Sequence, residues 1–255
     1  MRGVAVRRAG KTILGPLDWD VGEGERWVVL GPNGSGKTTL LSVAAMSLWP
    51  TAGTVEVLGA TYGKVDAREH RRRIGSAGSA TEASMRPDLT PRTLIMTARH
   101  GAFEPWWHVY DDADRDRAGD LASRLGLGST LDHPFSTLSA GERRRTSIAR
   151  ALMPDPDVLL LDEPTASLDL ATRELLLRDL TRLGEDGRPR AIVLVSHHIE
   201  EIPRGFDHAM VLRAGAVVAS GPIDEVLTDE VLSTAFGVPL SVGRLDGRWT
   251  AAIRA

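Results

Sequence analysis

The chain has 255 residues and a formal charge of −3 at pH 7, with 42% hydrophobic and 25% charged residues. That length suits one large α/β domain or a main domain with a sizeable insert, and the balance excludes disordered, collagenous and coiled-coil classes. The near-neutral charge supplies no general field for nucleic acid or anionic lipid, so no nucleic-acid partner is expected. The absence of cysteine excludes disulfides, thiolate metal sites and iron–sulfur clusters and fits a reducing compartment.

Taken in chain order, residues 1–8 lack the uninterrupted apolar stretch of a secretory signal, which predicts a cytoplasmic protein. Short β-type runs follow at 4–6, 27–30 and 55–58. Between about residues 80 and 155 the strand signal disappears, and 92–100, 112–125 and 141–152 read as helices. Strand runs return at 158–161, 192–195, 210–212 and 216–218, with Leu176, Leu180 and Leu183 forming one face of a helix among them. The longest apolar runs are strand-sized, far below the roughly 18 residues of a membrane span. The pattern predicts an α/β fold: a mixed sheet core with an antiparallel β portion, and an inserted α-helical subdomain. The expected division is a core of 1–79 and 156–227, a helical subdomain of 80–155 and a C-terminal extension of 228–255.

Gly31-Pro32-Asn33-Gly34-Ser35-Gly36-Lys37-Thr38 satisfies the P-loop pattern, with a β run before it and an apolar helical stretch after it. Only three of the chain's 31 basic residues are lysines (Lys11, Lys37 and Lys64), and one of them sits in this turn. Successive backbone N–H groups at a helix N-terminus cradle a phosphate, and glycines let the main chain approach it. A lysine adds a compact charge on a thin stem, whereas the planar fork of an arginine would crowd the cradle. Thr38 carries the hydroxyl expected on Mg²⁺, and Thr39 beside it joins the nucleotide contacts. At the end of the apolar run 158–161, Asp162 and Glu163 place two carboxylates where open α/β sheets bind ligands. Asp162 is expected to orient the Mg²⁺ shell and Glu163 to polarise the attacking water.

Leu138-Ser139-Ala140-Gly141-Glu142-Arg143 resembles the signature motif of ABC ATPases, with LSAGE where LSGGQ is commonest. Ser167-Leu168-Asp169 matches that family's D-loop, and Ser196-His197-His198 matches its switch histidine, assigned to His197. The resemblance runs from about residue 3 to about residue 225. It implies a P-loop NTPase fold of ABC type and hydrolysis of Mg-ATP. It also implies that Ser139, Ala140, Gly141, Glu142 and Asp169 act on a nucleotide held by the P-loop of a second copy, in a head-to-tail homodimer. The resemblance further implies that Glu163 and His197 are the catalytic residues. Ser139 and Glu142 read independently as a capping box, and Asp169 as a helix N-cap.

The family places its ATPase subunit on the cytoplasmic face of the inner membrane, bound to separate permease subunits. An importer is favoured, near the iron-complex and molybdate branch; an exporter subunit, a soluble ABC ATPase and a nucleotide switch with little turnover are the alternatives. Two positions depart from the family pattern. The chain has no glutamine, and alignment puts Ser79 where a glutamine usually meets Mg²⁺. Arg8 stands where an aromatic residue usually stacks on adenine, and a guanidinium plane can stack there instead. Phe103, Trp106, Trp107 and Tyr110 approximate a helical stripe, expected first as core, with a partner-facing groove as the alternative.

Overall fold

The computed structural model describes residues 1–183 and 187–254. The chain forms two compact units, residues 1–67 with 190–255 and residues 68–189.

In the first unit the strands Arg26–Leu30, Ala191–Ser196 and His208–Arg213 run parallel, Arg26–Leu30 in the middle, and Ala216–Pro222 pairs antiparallel with His208–Arg213. The run Ala191–Ser196 is buried at all six positions, as a parallel strand covered on both faces requires. A second, antiparallel sheet joins Arg2–Arg8 to Lys11–Leu17 and Ala52–Thr54. The expected strand at 55–58 is shortened to Glu56–Val57. Glu56–Val57 pairs with Ala60–Thr61, and Leu58 and Gly59 turn between them at φ 52° and 78°. A leucine in that left-handed turn cannot continue a strand.

The C-terminal extension contains structure that the strand runs did not indicate. Its helix Asp229–Phe236 leads into an antiparallel hairpin, Leu240–Leu245 with Arg248–Ile253. Asp246 and Gly247 form the two-residue connection with φ 50° and 75°, the backbone of a type I′ turn.

In the second unit Ile74–Ala77 lies parallel to Val158–Asp162, in register from Ile74 with Val158 to Ala77 with Leu161. The helices Pro91–Thr97, Asp112–Arg124, Ala140–Leu152 and Leu170–Arg182 complete it, three of them at the places expected between 80 and 155. Local chemistry starts each helix: Thr90 caps the first with Pro91 at its opening position, Asp111 and Asp114 form a capping box, and Ser139 and Asp169 cap the last two. Leu176, Leu177 and Leu180 are the buried face of the fourth.

A buried ion pair ties two of these segments. Glu82, in the short helix Ser79–Ala83, lies 2.7 Å from Arg144 of the helix Ala140–Leu152, and Arg144 is 6% exposed. Burial pushes the Glu82 carboxyl above its ordinary range, and Arg144 opposes that shift. A charge buried without its partner is far more costly than a charge buried with it. Arg144→Ala is therefore expected to lower the free energy of unfolding by about 3 kcal/mol, measured by urea denaturation. A change below about 0.5 kcal/mol, the size of an ordinary surface substitution, would show that the pair does not stabilise the unit.

Candidate nucleotide-binding site

In the first unit the strand Arg26–Leu30 ends, the chain turns through Gly31 to Gly36, and the helix Lys37–Ala44 begins. Gly36 caps that helix in a left-handed conformation, φ 102°, where a Cβ would stand 2.9 Å from the Ile13 carbonyl oxygen. Gly31, at φ 151°, would place a Cβ 2.2 Å from the Leu212 carbonyl oxygen. Any side chain at either point would deform the turn. Lys37 is 5% exposed, and its Nζ donates to the carbonyl oxygens of Gly31 at 2.8 Å and Pro32 at 3.1 Å. The lysine thus closes the loop on itself and puts its charge at the mouth of the helix. Ser35 Oγ is buried in the same turn without a hydrogen-bond partner. Buried hydroxyls normally have partners, so Ser35 marks a place shaped for an outside acceptor or donor. Asn33, Gly34 and Thr38 are exposed, while Pro32 and Thr39 are half-buried. This cradle fits a polyphosphate.

His197 follows the strand Ala191–Ser196 in the same unit and is half-buried, its ring centroid 4.1 Å from that of His198. Arg8 is exposed at the end of Arg2–Arg8, paired in register with Lys11.

The second unit holds the acidic and signature residues. Asp162 ends the strand Val158–Asp162, and Glu163 follows it with φ 48°, a left-handed conformation that a non-glycine residue adopts at a cost of about 1–3 kcal/mol. Strain of this kind persists where surrounding structure fixes it. Here the Glu163 carbonyl accepts from Ala166 N at 3.2 Å. Ser79 comes two residues after Ala77, the register partner of Leu161, so the aligned position lies at the same strand end as the two carboxylates. No cluster of three or more histidine, aspartate, glutamate or cysteine side chains among the described residues could hold a metal ion. A donor set of one hydroxyl, one carboxylate and phosphate oxygens suits Mg²⁺, which keeps several waters and binds with its nucleotide.

Ser139 and Glu142 form both halves of the capping box. Glu142 N donates to Ser139 Oγ at 3.3 Å, Ser139 N donates to Glu142 Oε2 at 2.8 Å, and Ser139 Oγ donates to the same carboxylate oxygen at 2.7 Å. The Ser139 hydrogen bond holds the Glu142 carboxyl below its ordinary range. The Ser139 hydroxyl proton is directed at Glu142, and must rotate away from it to serve a ligand. Ala140 and Gly141 open the helix behind them, Gly141 buried. Asp169 caps the helix Leu170–Arg182, accepting from Thr172 N at 3.0 Å and from Thr172 Oγ1 at 2.7 Å. Those bonds lower its pKa.

The aromatic cluster does not form the expected core stripe. Trp106 and Trp107 are 62% and 78% exposed, stacked on each other at 5.2 Å, in a segment without helix. Pro105 precedes them and interrupts the helical spacing. Trp106 Nε1 donates to Glu104. Phe103 is half-buried and packs against Met85, Leu94, Phe135 and Leu138, with the Arg150 guanidinium 4.0 Å from its ring centroid. Tyr110 sits edge-on to His100 at 5.4 Å. The Glu82–Arg144 pair was missed because its partners are distant in sequence. The C-terminal hairpin was missed although Asp246-Gly247 between alternating apolar residues signals it.

Comparison with known proteins agrees with these motifs. A family model described as ABC transporter matches residues 14–166. The chain is 35% identical over 248 residues to a putative ABC transporter ATP-binding protein of Streptococcus mutans, covering 97% of this chain and 95% of that one. It is 34% identical over 241 residues to the hemin import ATP-binding protein of Rhodococcus jostii, covering 94% and 80% respectively. Among solved structures, it is similar to a dimeric ATP-binding cassette in a post-hydrolysis state bound to ADP and Pi. That match has a TM-score of 0.77 at 26% identity and covers 87% of this chain and 97% of that one.

Proposed function

The chain belongs to the ABC transporter family as an ATP-binding subunit with ATPase activity, and from that membership we propose that it powers an importer whose membrane-spanning subunits are separate chains. The observation that carries the reading is the phosphate cradle itself: Gly31 and Gly36 leave no room for a Cβ, Lys37 is buried within it, and Ser35 Oγ is unpartnered.

In this proposal the backbone of residues 31–38 and the Lys37 ammonium hold the β- and γ-phosphates of ATP, and Arg8 lies flat on the base. Thr38 and Asp162 would hold the Mg²⁺ that accompanies the nucleotide, with Ser79 placed to reach it through water, and the bound ion would supply neutralisation of charge on the phosphate oxygens. Glu163 accepts a proton from the attacking water, and His197 touches the γ-phosphate and keeps that water in line. Ser139, Gly141 and Glu142 of a second copy close over the same phosphate from the positive end of their helix, and Asp169 meets its counterpart across a two-fold axis. The exposed Trp106–Trp107 pair is the surface for a permease subunit, since a stacked, solvent-facing pair of tryptophans supplies the apolar anchor such a contact needs. The import reading rests on the likeness to the hemin import ATP-binding protein of Rhodococcus jostii.

Co-expression with candidate membrane-spanning subunits provides the test. The double substitution Trp106→Ser, Trp107→Ser is expected to abolish co-purification while leaving nucleotide affinity within about twofold of the parent, because aromatic anchors dominate such interfaces. Uptake into ATP-loaded proteoliposomes is expected from the intact complex. Retention of the complex by the double variant would reject the docking surface, and ATP-driven efflux would reject import.

A further inference from the structure

The C-terminal extension touches the segment that carries His197. After the strand Ala191–Ser196 the chain passes through His197 and His198 into the 3-10 turn Ile199–Glu201. On its inner side that turn is stapled: Ser196 Oγ donates to the Glu201 carboxylate and accepts from His198 N at 3.0 Å, with Ile199, Glu201 and Ile202 buried. Its own backbone bonds are long, 3.3 Å from Glu201 N to His198 O and 3.3 Å from Ile202 N to Ile199 O. A single 3-10 turn with such bonds is a weak support.

The outer side is held by the hairpin. Arg248 donates to the Glu200 carbonyl oxygen, and Ala251 N donates to Glu200 Oε1 at 3.4 Å. Beyond the turn, Arg204 donates to the Asp246 carbonyl oxygen at 2.6 Å. Glu200, three residues after His197, is therefore gripped by both its main chain and its side chain. An isolated two-stranded hairpin is marginal in water, so it can hold another segment only if it is itself anchored. Contacts with Asp224, Asp229 and Ser233 anchor it. Leu240 N donates to Ser233 Oγ at 2.8 Å and Val242 N to Asp229 Oδ1 at 2.6 Å, Arg244 pairs with Asp224 at 2.6 Å, and Arg254 pairs with Asp229.

We propose that the hairpin Leu240–Ile253 is a brace that positions His197, by holding Glu200 and hence the turn into which the histidine leads. The proposal rests on the reading of His197 as the residue that touches the γ-phosphate. Catalytic groups must be held within about half an ångström of their working geometry, and a misplacement near 1 Å can cost up to about 100-fold in rate. A loosened turn would therefore lower turnover while the phosphate cradle, built from residues 31–38, kept its affinity.

The full-length chain tests this through Arg248→Ala, with Arg248→Lys as the conservative rescue and Leu245→Ser, at an exposed hairpin position, as the control. For Arg248→Ala, amide exchange across residues 197–202 is expected to rise about tenfold with residues 27–37 unchanged, because a local opening moves only the segment it releases. Its kcat is expected to fall about tenfold with KM within about twofold. Arg248→Lys restores most of both, Leu245→Ser changes neither, and His197→Ala with Arg248→Ala is no slower than His197→Ala alone. Glu200→Ala, which deletes only the contact from Ala251, is expected to give a smaller shift in the same direction and serves if Arg248→Ala folds poorly. Parental exchange and parental kcat in both variants would overturn the brace, as would a KM that rises in step with the fall in kcat. Exchange needs no turnover, so a parent without ATPase activity would reject the proposed role of His197 while leaving the brace to be judged on exchange alone.

Discussion

Lys37→Ala is expected to weaken ATP binding by on the order of 100-fold, the equivalent of about 2.7 kcal/mol, which lies within the range for a hydrogen bond to a charged group. The lysine has two tasks, and their magnitudes can be separated. Its Nζ donates to the carbonyl oxygens of Gly31 and Pro32, so the substitution removes two bonds that close the loop. At about 1 kcal/mol each, that loss falls on stability. The loss of binding is larger because nothing else in residues 31–38 carries positive charge, and a phosphate in the cradle would be left with backbone dipoles alone. Titration with a fluorescent nucleotide and urea denaturation of the same variant report the two effects independently. Lys37→Arg sharpens the test, since it keeps the charge and enlarges the head group in a position only 5% exposed. It too is expected to bind weakly, on shape rather than charge. A dissociation constant within about threefold of the parent for Lys37→Ala, little more than half a kcal/mol, would remove Lys37 from the phosphate site.

The parts of this molecule that were legible in the sequence are those governed by local chemistry. Ser139 with Glu142, and Asp169, announce helix starts through hydrogen bonds that span three residues, and both starts are present. Gly31 and Gly36 are legible for a related reason: the turn requires backbone that only glycine adopts without strain. Non-local facts were not legible. Nothing near Glu82 indicates that Arg144 will neutralise it, and nothing near Glu200 indicates that Arg248 will hold its carbonyl. The aromatic cluster shows the opposite failure, a local rule applied outside its domain. The spacing of Phe103, Trp106, Trp107 and Tyr110 describes one face only if the segment is helical, and Pro105 within it already argued otherwise. The strand at 55–58 is present only as Glu56–Val57, because apolar residues alone do not reveal that Leu58-Gly59 will turn.

Glu163→Gln is expected to slow hydrolysis by about a thousandfold, the middle of the range for loss of a general base, while leaving ATP affinity close to that of the parent. In the proposed site the two outcomes separate, since there the carboxylate would act on the water and the cradle on the phosphates. Glutamine matches glutamate in size and should accept the same left-handed backbone at φ 48°. The variant therefore removes a proton acceptor without redrawing the strand end at Asp162. With hydrolysis blocked, ATP remains where two copies would meet, and the variant is expected to elute as a nucleotide-dependent dimer. Light scattering with Mg-ATP, with Mg-ADP and without nucleotide resolves this directly. Ser139 adds a condition on the same experiment. Its hydroxyl proton is directed at Glu142, so closure over a γ-phosphate must exchange a bond to a carboxylate for a bond to a phosphate oxygen. Two acceptors of like charge then compete for one donor, and the gain from that hydroxyl is close to zero. Dimer strength must come instead from the helix N-terminus and its backbone N–H groups. Ser139→Ala introduced into the Glu163→Gln background is accordingly expected to weaken the ATP-bound dimer by no more than about tenfold, or 1.4 kcal/mol. A Glu163→Gln chain that stays monomeric at saturating Mg-ATP would show that the isolated subunit does not share its nucleotide with a second copy.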